Sequence, residues 1–375
     1  MFGTTEQALM TVEHSRSGEV EAKLALLRRL LELRGLDSAV LRGADSVAWL
    51  TGGLTNRIEP GNPASPLWLV VTADSVAAVT TNVERPRVEA EAELAELGFE
   101  LHEAPWYEPD GLARVATELG GRFEDLGDDL VALRLELLPA EQERLSALAR
   151  DGASALEGAL RAWQPGERDV DVQARVAGRL ERSGAFGACL IVGGDDRVER
   201  FRHPLAAGEP MQRLVMAVVV AERHGLHAAA TRFACADGLS EGVRQGLAAA
   251  RSVERAVLAA CVPGVAYGRA LAALDRGYAA AGHPGAWREQ YQGGPIGYRQ
   301  REFEIVPEQT ESRWFGTRIE AGHALAWNPS VAGGGKAEDT YLVEHGGLRR
   351  LTDTGSWPLE DDRPAVLDVT TGEAA

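Results

Sequence analysis

The sequence is short of cysteine, of long apolar runs and of positive charge, and each shortage excludes a class of protein. Its cysteines, Cys189, Cys235 and Cys261, are odd in number and show no C-x-x-C spacing. That argues against a disulfide scaffold or a thiolate metal cluster, and for buried, reduced thiols in a cytoplasmic protein. No stretch of about 18 apolar residues occurs, so no transmembrane helix is expected. The first residues, MFGTTEQALMTVEHSRSGEVEAK, contain no basic segment followed by an apolar one, so no signal peptide is read there. Acidic residues outnumber basic ones, 56 to 39, for a net charge of −17. Nucleic acid and anionic membranes are therefore not expected partners, since both need a basic surface. No G-x-S-x-G nucleophile motif is present. Gly333-Gly334-Gly335-Lys336 lacks the spacing and the following helix of a phosphate loop.

What is present is 375 residues with 45% hydrophobic content, enough for two domains with sizeable cores. Residues 1–20 are polar and aperiodic and read as a loose arm. From Glu21 the spacing of Leu24, Leu27 and Leu31 predicts an amphipathic helix that Gly35 ends. Short apolar runs (SAVL, LWLVV, ADSVAAVTT) alternate with helical stretches at 84–98 and 110–120, which makes 21–136 an α/β domain. Composition shifts at Leu137-Leu138-Pro139. A long helix follows, with Pro139 at its entrance and Gly166 beyond its end, then a second from Arg168. MQRLVMAVVVAE and HGLHAAATRF read as a strand–turn–strand. Two more helices come next, separated by Pro263-Gly264, and then a Gly-rich, strand-like third. Helices over an antiparallel sheet give an α+β domain at 137–358, and the repeated order hints at an internal duplication. Residues 359–375 read as a flexible tail.

Three segments then carry a resemblance: HGLHAAATR at 224–232, QGGPIGYRQREFE at 292–304 and AGHALAWNPSVAGGGKAEDTYLVEHGG at 321–347. In this order they resemble the creatinase and aminopeptidase P family, over residues 22 to 355. The resemblance implies an N-terminal α/β creatinase-like domain and a C-terminal pita-bread domain, α+β as a whole, and commonly a homodimer. Metal-dependent members hold two cations with two aspartates, a histidine and two glutamates. Aligned on Thr231-Arg232 and the other motifs, those positions are Val218, Ala229, Gly294, Asn328 and Glu338. Only Glu338 keeps its acid. An amide and one carboxylate cannot hold two hard cations against hydration, so no metal and no cofactor are expected.

The resemblance also implies candidates for acid/base work. His203, in ERFRHP, matches a histidine that shuttles protons in creatinase, which itself uses no metal, and contacts substrate in aminopeptidase P. His227 shares a strand face with position 229 and is expected to face the former metal site. Imidazole takes and gives protons near neutrality. His203, His227 and Glu338 form the expected catalytic set. His224, Arg232, Tyr298, Arg299, Arg301, Glu302, Asn328 and Lys336 are the expected substrate-binding set. Within it, Arg299 and Arg301, two residues apart, are read on one face where they could clasp a carboxylate. Gly293 and Gly294 are read as letting a substrate approach the backbone. Trp49 and Arg57 are candidates to reach a neighbouring subunit's cleft. The expected ligand is a small molecule or short peptide, and the expected reaction is metal-independent chemistry at a C–N bond. Two other readings stand beside it: a pseudo-peptidase that binds a peptide or protein without turnover, and an Xaa-Pro aminopeptidase with rearranged ligands.

Overall fold

A computed structural model describes residues 15–55 and 57–375. The chain forms two compact units, one holding the residues up to Arg144 together with His224–Leu226, the other Leu145–Arg223 and His227–Ala375. No described helix is long and apolar enough to cross a membrane.

In the first unit, helix α1 (Arg16–Arg34) begins where the Ser15 hydroxyl accepts the Gly18 N–H at 3.0 Å. It ends at Gly35, whose left-handed φ of 64° lets its N–H turn back to the Glu32 carbonyl. Residues 16–20 are therefore helical rather than part of a loose arm; residues 1–14 lie outside the described residues. The apolar period missed this first turn because its buried side is ionic. Glu19 and Glu141 hold the Lys23 ammonium at 2.5 and 2.7 Å, and Arg144 chelates Glu19. Strand β1 (Ser38–Gly43), helix α2 (Ala44–Leu50) and strands β2 (Ala64–Thr72) and β3 (Val76–Thr81) follow. Helix α3 (Arg85–Glu91) crosses over to β4 (Glu100–Ala104), which pairs parallel to β3, while β1–β2 and β2–β3 are antiparallel. The helix expected to reach 98 stops at 91, and Glu93 takes a positive φ of 54°. Helices α4 (Gly111–Glu118) and α5 (Gly127–Leu133) complete the unit's own elements. Trp49 is buried at the end of α2 and does not present its ring to a surface.

Helix α6 (Pro139–Arg161) leads into the second unit, and α7 (Asp169–Arg182) packs on β5 (Phe186–Gly194). After the short α8 (Asp196–Arg200), β6 (Leu214–Arg223) and β7 (Leu226–Cys235) form a hairpin beside β5. The order then repeats: helices α9 (Glu241–Ala259) and α10 (Tyr267–Ala280) precede β8 (Gly293–Pro295), helix α11 (Arg313–Gly316) and β9 (Ala324–Trp327). A small hairpin, β10 (Ser330–Val331) with β11 (Gly335–Lys336), comes before β12 (Tyr341–Glu344) and β13 (Gly347–Arg350). The second sheet runs β13-β12-β9-β8 and is antiparallel throughout.

The end of the chain is not a flexible tail. After β14 (Leu359–Glu360) and β15 (Arg363–Pro364), β16 (Leu367–Asp368) pairs parallel to β7 and completes the first sheet in the order β16-β7-β6-β5. Val366 and Leu367 are buried, and the Trp357 indole N–H donates to the Ala365 carbonyl. A two-residue strand is too short to show a period in sequence; the unpaired edge of β7 supplies the reason it forms.

One close approach positions the site. A Cβ on Gly335 would lie 2.1 Å from the Gly246 carbonyl oxygen, so α9 meets the β10–β11 hairpin backbone to backbone. Glycine alone allows that contact, and it fixes the next residue, Lys336.

Candidate functional site

Glu338, in the extended segment before β12, is 3% exposed and lies at the centre of a cluster. The Thr231 hydroxyl on β7 donates to its Oε2 at 2.9 Å, and the Thr231 N–H donates to its carbonyl at 2.9 Å. Arg301 Nη2 stands 3.4 Å from Oε1 and Lys336 Nζ 3.7 Å from Oε2. The carboxylate is thus held by a hydroxyl and by two of the chain's own cations. Burial drives the Lys336 pKa below its usual value and the neighbouring Arg301 charge adds to this, while Glu338 opposes it.

Two more groups feel this cluster. His203 lies in the exposed loop after α8, and its pKa is drawn down by desolvation and then by the Lys336 charge, with Glu338 acting the other way. Cys189, on β5, has its pKa raised by burial and by Glu338, against Lys336 and Arg301. Sequence reasoning read Cys189 as a buried, reduced thiol, whereas it is half-buried. Only the pairing of β5 with β6, which sets Cys189 opposite Val220, shows where it falls. Beside the cluster is a pocket of about 220 Å³, whose lining includes Lys336, Arg202, Ser330, Glu289, Met216 and Phe201. Arg202 donates to the Ser330 hydroxyl at 3.3 Å and pairs with Glu289 at 2.6 Å.

The structure brings Arg301, Lys336 and Glu338 together, with His203 exposed and within reach of their charge, and leaves the other expected residues with different work. His227 is buried, with Nε2 3.3 Å from Glu222 and Nδ1 3.2 Å from the Gly297 carbonyl. It joins the β6–β7 hairpin to the 297–302 loop. His224 sits exposed at the tip of that hairpin with a positive φ of 56°. Arg232 is 1% exposed and bonded to Glu157, Asp339 and the Thr231 and Thr352 carbonyls, so its role is to hold strands together. Tyr298 is fully buried. The Glu302 carboxylate accepts the N–H groups of Tyr298 and Arg299 at 2.7 and 3.3 Å and closes its own loop. That loop is a run of bends, not a strand, so alternation fails: Arg301 turns in to Glu338 while Arg299 is exposed. Asn328 is buried, accepting from Gln290 at 3.0 Å. Gly293 does not open a path for substrate. A Cβ there would lie 2.1 Å from the Ala326 carbonyl oxygen, so its glycine answers to the close β8–β9 pairing.

The residues present do not fit a pair of hard cations. Val218 belongs to an apolar cluster with Ile191, Met216 and Phe233. The Ala229 backbone bonds through both its N–H and its carbonyl to the Thr340 hydroxyl. Gly294 has no side chain, Asn328 is neutral, and Glu338 is already neutralised by Lys336 and Arg301. Among the described residues, no group of three or more His, Cys, Asp or Glu side chains could hold a metal.

No family model matches the chain, and no curated protein sequence matches it. Solved structures do. A Xaa-Pro dipeptidase from Bacillus anthracis superposes with a TM-score of 0.71 at 16% identity, covering 89% of this chain and 98% of its own. The dipeptidase PepE from Mycobacterium ulcerans gives 0.70 at 20% identity, over 90% and 96%. The N-terminal domain of the FACT complex subunit SPT16 from chickpea, Cicer arietinum, gives 0.67 at 10% identity, over 96% and 99%. At these identities the likeness is one of fold. The chain has the fold of the prolidases and Xaa-Pro dipeptidases, an N-terminal α/β domain followed by a pita-bread domain.

Proposed function

We propose that the chain is a metal-independent enzyme that acts by acid/base chemistry on a C–N bond of a small amino-acid-derived molecule, in the manner of creatinase. One observation carries this reading: Glu338, the remaining family acid, is balanced by Lys336 and Arg301 where metal-dependent members would set it against cations. A positive environment is thereby kept beside a pocket, with protein groups in place of metal. His203 is the proton carrier, since desolvation and the Lys336 charge favour its neutral, proton-accepting form. Lys336 and Arg301 orient the substrate's polar end, and Arg202 and Ser330 border it. The ligand is a guanidino, amide or peptide-like molecule, and the protein works as a cytoplasmic homodimer.

The test is turnover after exhaustive chelation. Dipeptides, amino-acid amides and guanidino acids are incubated with chelated protein, and release of amine or urea is measured. Turnover of at least one compound should survive chelation and fall about a hundredfold or more in His203→Asn. Chelator-sensitive turnover restored by a divalent cation would sink the reading.

A second reading, a pseudo-peptidase that binds a peptide or protein, is favoured by the occupied state of Glu338 and His227, both bonded to the chain's own groups. The likeness to a domain of a FACT subunit is consistent with it. Its signature is thermal stabilisation by a peptide with no product from any compound.

A further inference from the structure

Only two of the chain's 39 basic residues are lysines, Lys23 and Lys336, and both are buried. Every other cation is arginine, which stays charged in any protein environment, whereas a buried lysine can give up its proton. The two lysines differ in what surrounds them. Lys23 is clasped by Glu19, Glu141 and the Trp49 carbonyl, all within 2.8 Å. Lys336 has one carboxylate at 3.7 Å, and that carboxylate is also shared with Arg301 at 3.4 Å. Arg301 is the nearer of the two cations to Glu338. Lys336 is also the buried charged residue in the lining of the 220 Å³ pocket, where Arg202 is half-buried and Glu199, Arg200 and Glu289 are exposed.

We infer that Lys336 is a covalent carbonyl-capturing amine, whose Nζ condenses with a small aldehyde or 2-oxo acid held in this pocket. Burial, the largest influence, works toward the neutral amine and the Arg301 charge adds to it, against the Glu338 carboxylate. In the step, the nitrogen lone pair forms a C–N bond to the carbonyl carbon as the carbonyl π pair moves to oxygen. Glu338 is placed to pass the first proton that nitrogen sheds to the carbonyl oxygen, making the hydroxyl, and the second to that hydroxyl. The hydroxyl leaves as water when the C=N bond forms, so the exchange is one carbonyl and one amine for one imine and one water, without oxidation or reduction. Met216, Phe201 and Val331 offer an apolar wall for the carbon chain. The inference does not rest on the hydrolytic reading above.

Reductive trapping tests it. The protein is incubated with glyoxylate, pyruvate or propanal in the presence of cyanoborohydride, then weighed intact and mapped by peptide mass. With so few amines in the chain, Lys23 and the α-amine serve as internal controls. One adduct per chain is expected on Lys336, with a rate that saturates in probe concentration. Lys336→Arg and Lys336→Met should both lose it. A preference for glyoxylate and pyruvate over propanal would assign the oxo-acid branch; the reverse would assign the aldehyde branch. The inference is overturned if natively folded protein is labelled only at Lys23 or the α-amine, or at Lys336 without saturation, or not at all. Trapping needs no hydrolysis, so this failure is distinct from failure of the C–N bond reading.

Discussion

Glu338 shows how much one side chain's meaning depends on its partners. From its motif it reads as a surviving metal ligand or a free acid for substrate; in place it is bonded to Thr231 and balanced by Lys336 and Arg301. Neutralising it by Glu338→Gln leaves the half-buried Arg301 and the buried Lys336 without their carboxylate partner. Breaking such a pair from one side costs about 3 kcal/mol. A urea titration should show that loss as a lower midpoint with an unchanged slope; an unchanged midpoint would mean that solvent, not Glu338, balances the cations. Arg232 and Glu302 make the reverse point. Their motif positions were legible, but not that each carboxylate and guanidinium is consumed by neighbouring backbone and side chains.

At the scale of elements, the long helices were readable because their ends carry chemistry as well as period: Pro139 opens α6 and the Ser240 hydroxyl caps α9. What resisted reading were short strands and close approaches. The 359–375 segment looked like a tail, yet β16 pairs with β7 and buries Val366 and Leu367. Truncation after Trp357 is therefore expected to lower the melting temperature and to expose the apolar cluster around Phe233 to dye; a tail would be removable without either effect. Gly293 gives a sharper test. With a φ of 79° and the Ala326 oxygen 2.1 Å from where a Cβ would stand, Gly293→Ala should destabilise by about 2 kcal/mol, read as a lowered urea midpoint. Were Gly293 there only to admit substrate, the alanine variant would keep its stability.

At the scale of the molecule, the first sheet and α9 enclose charges that couple stability to pH. Glu254 on α9 is buried, its pKa pushed up to about 7 by desolvation and by the Asp339 carboxylate, against Arg363, Arg232 and Arg350. A carboxyl whose folded pKa is raised binds its proton more tightly when folded. Its contribution is thus complete below the unfolded value of 4.5 and is lost as pH rises through 7. Melting temperatures measured from pH 4.5 to 8 should fall less steeply in Glu254→Gln than in the parent; parallel curves would remove Glu254 as the cause. None of this is visible in the order of residues, because Glu254, Asp339 and Arg363 meet only when α9 lies under the strands. The chain's composition and motifs were sufficient for the α+β architecture, the order of helices and strands, and the loss of four acidic or imidazole ligands, since these depend on local period, capping and residue identity. Which polar groups are spent on the fold and which are left beside a pocket depends on contacts between residues a hundred or more positions apart. The pairing of Thr231 with Glu338, and of Arg202 with Ser330, exists only once β7, the β10–β11 hairpin and the loops around them are packed.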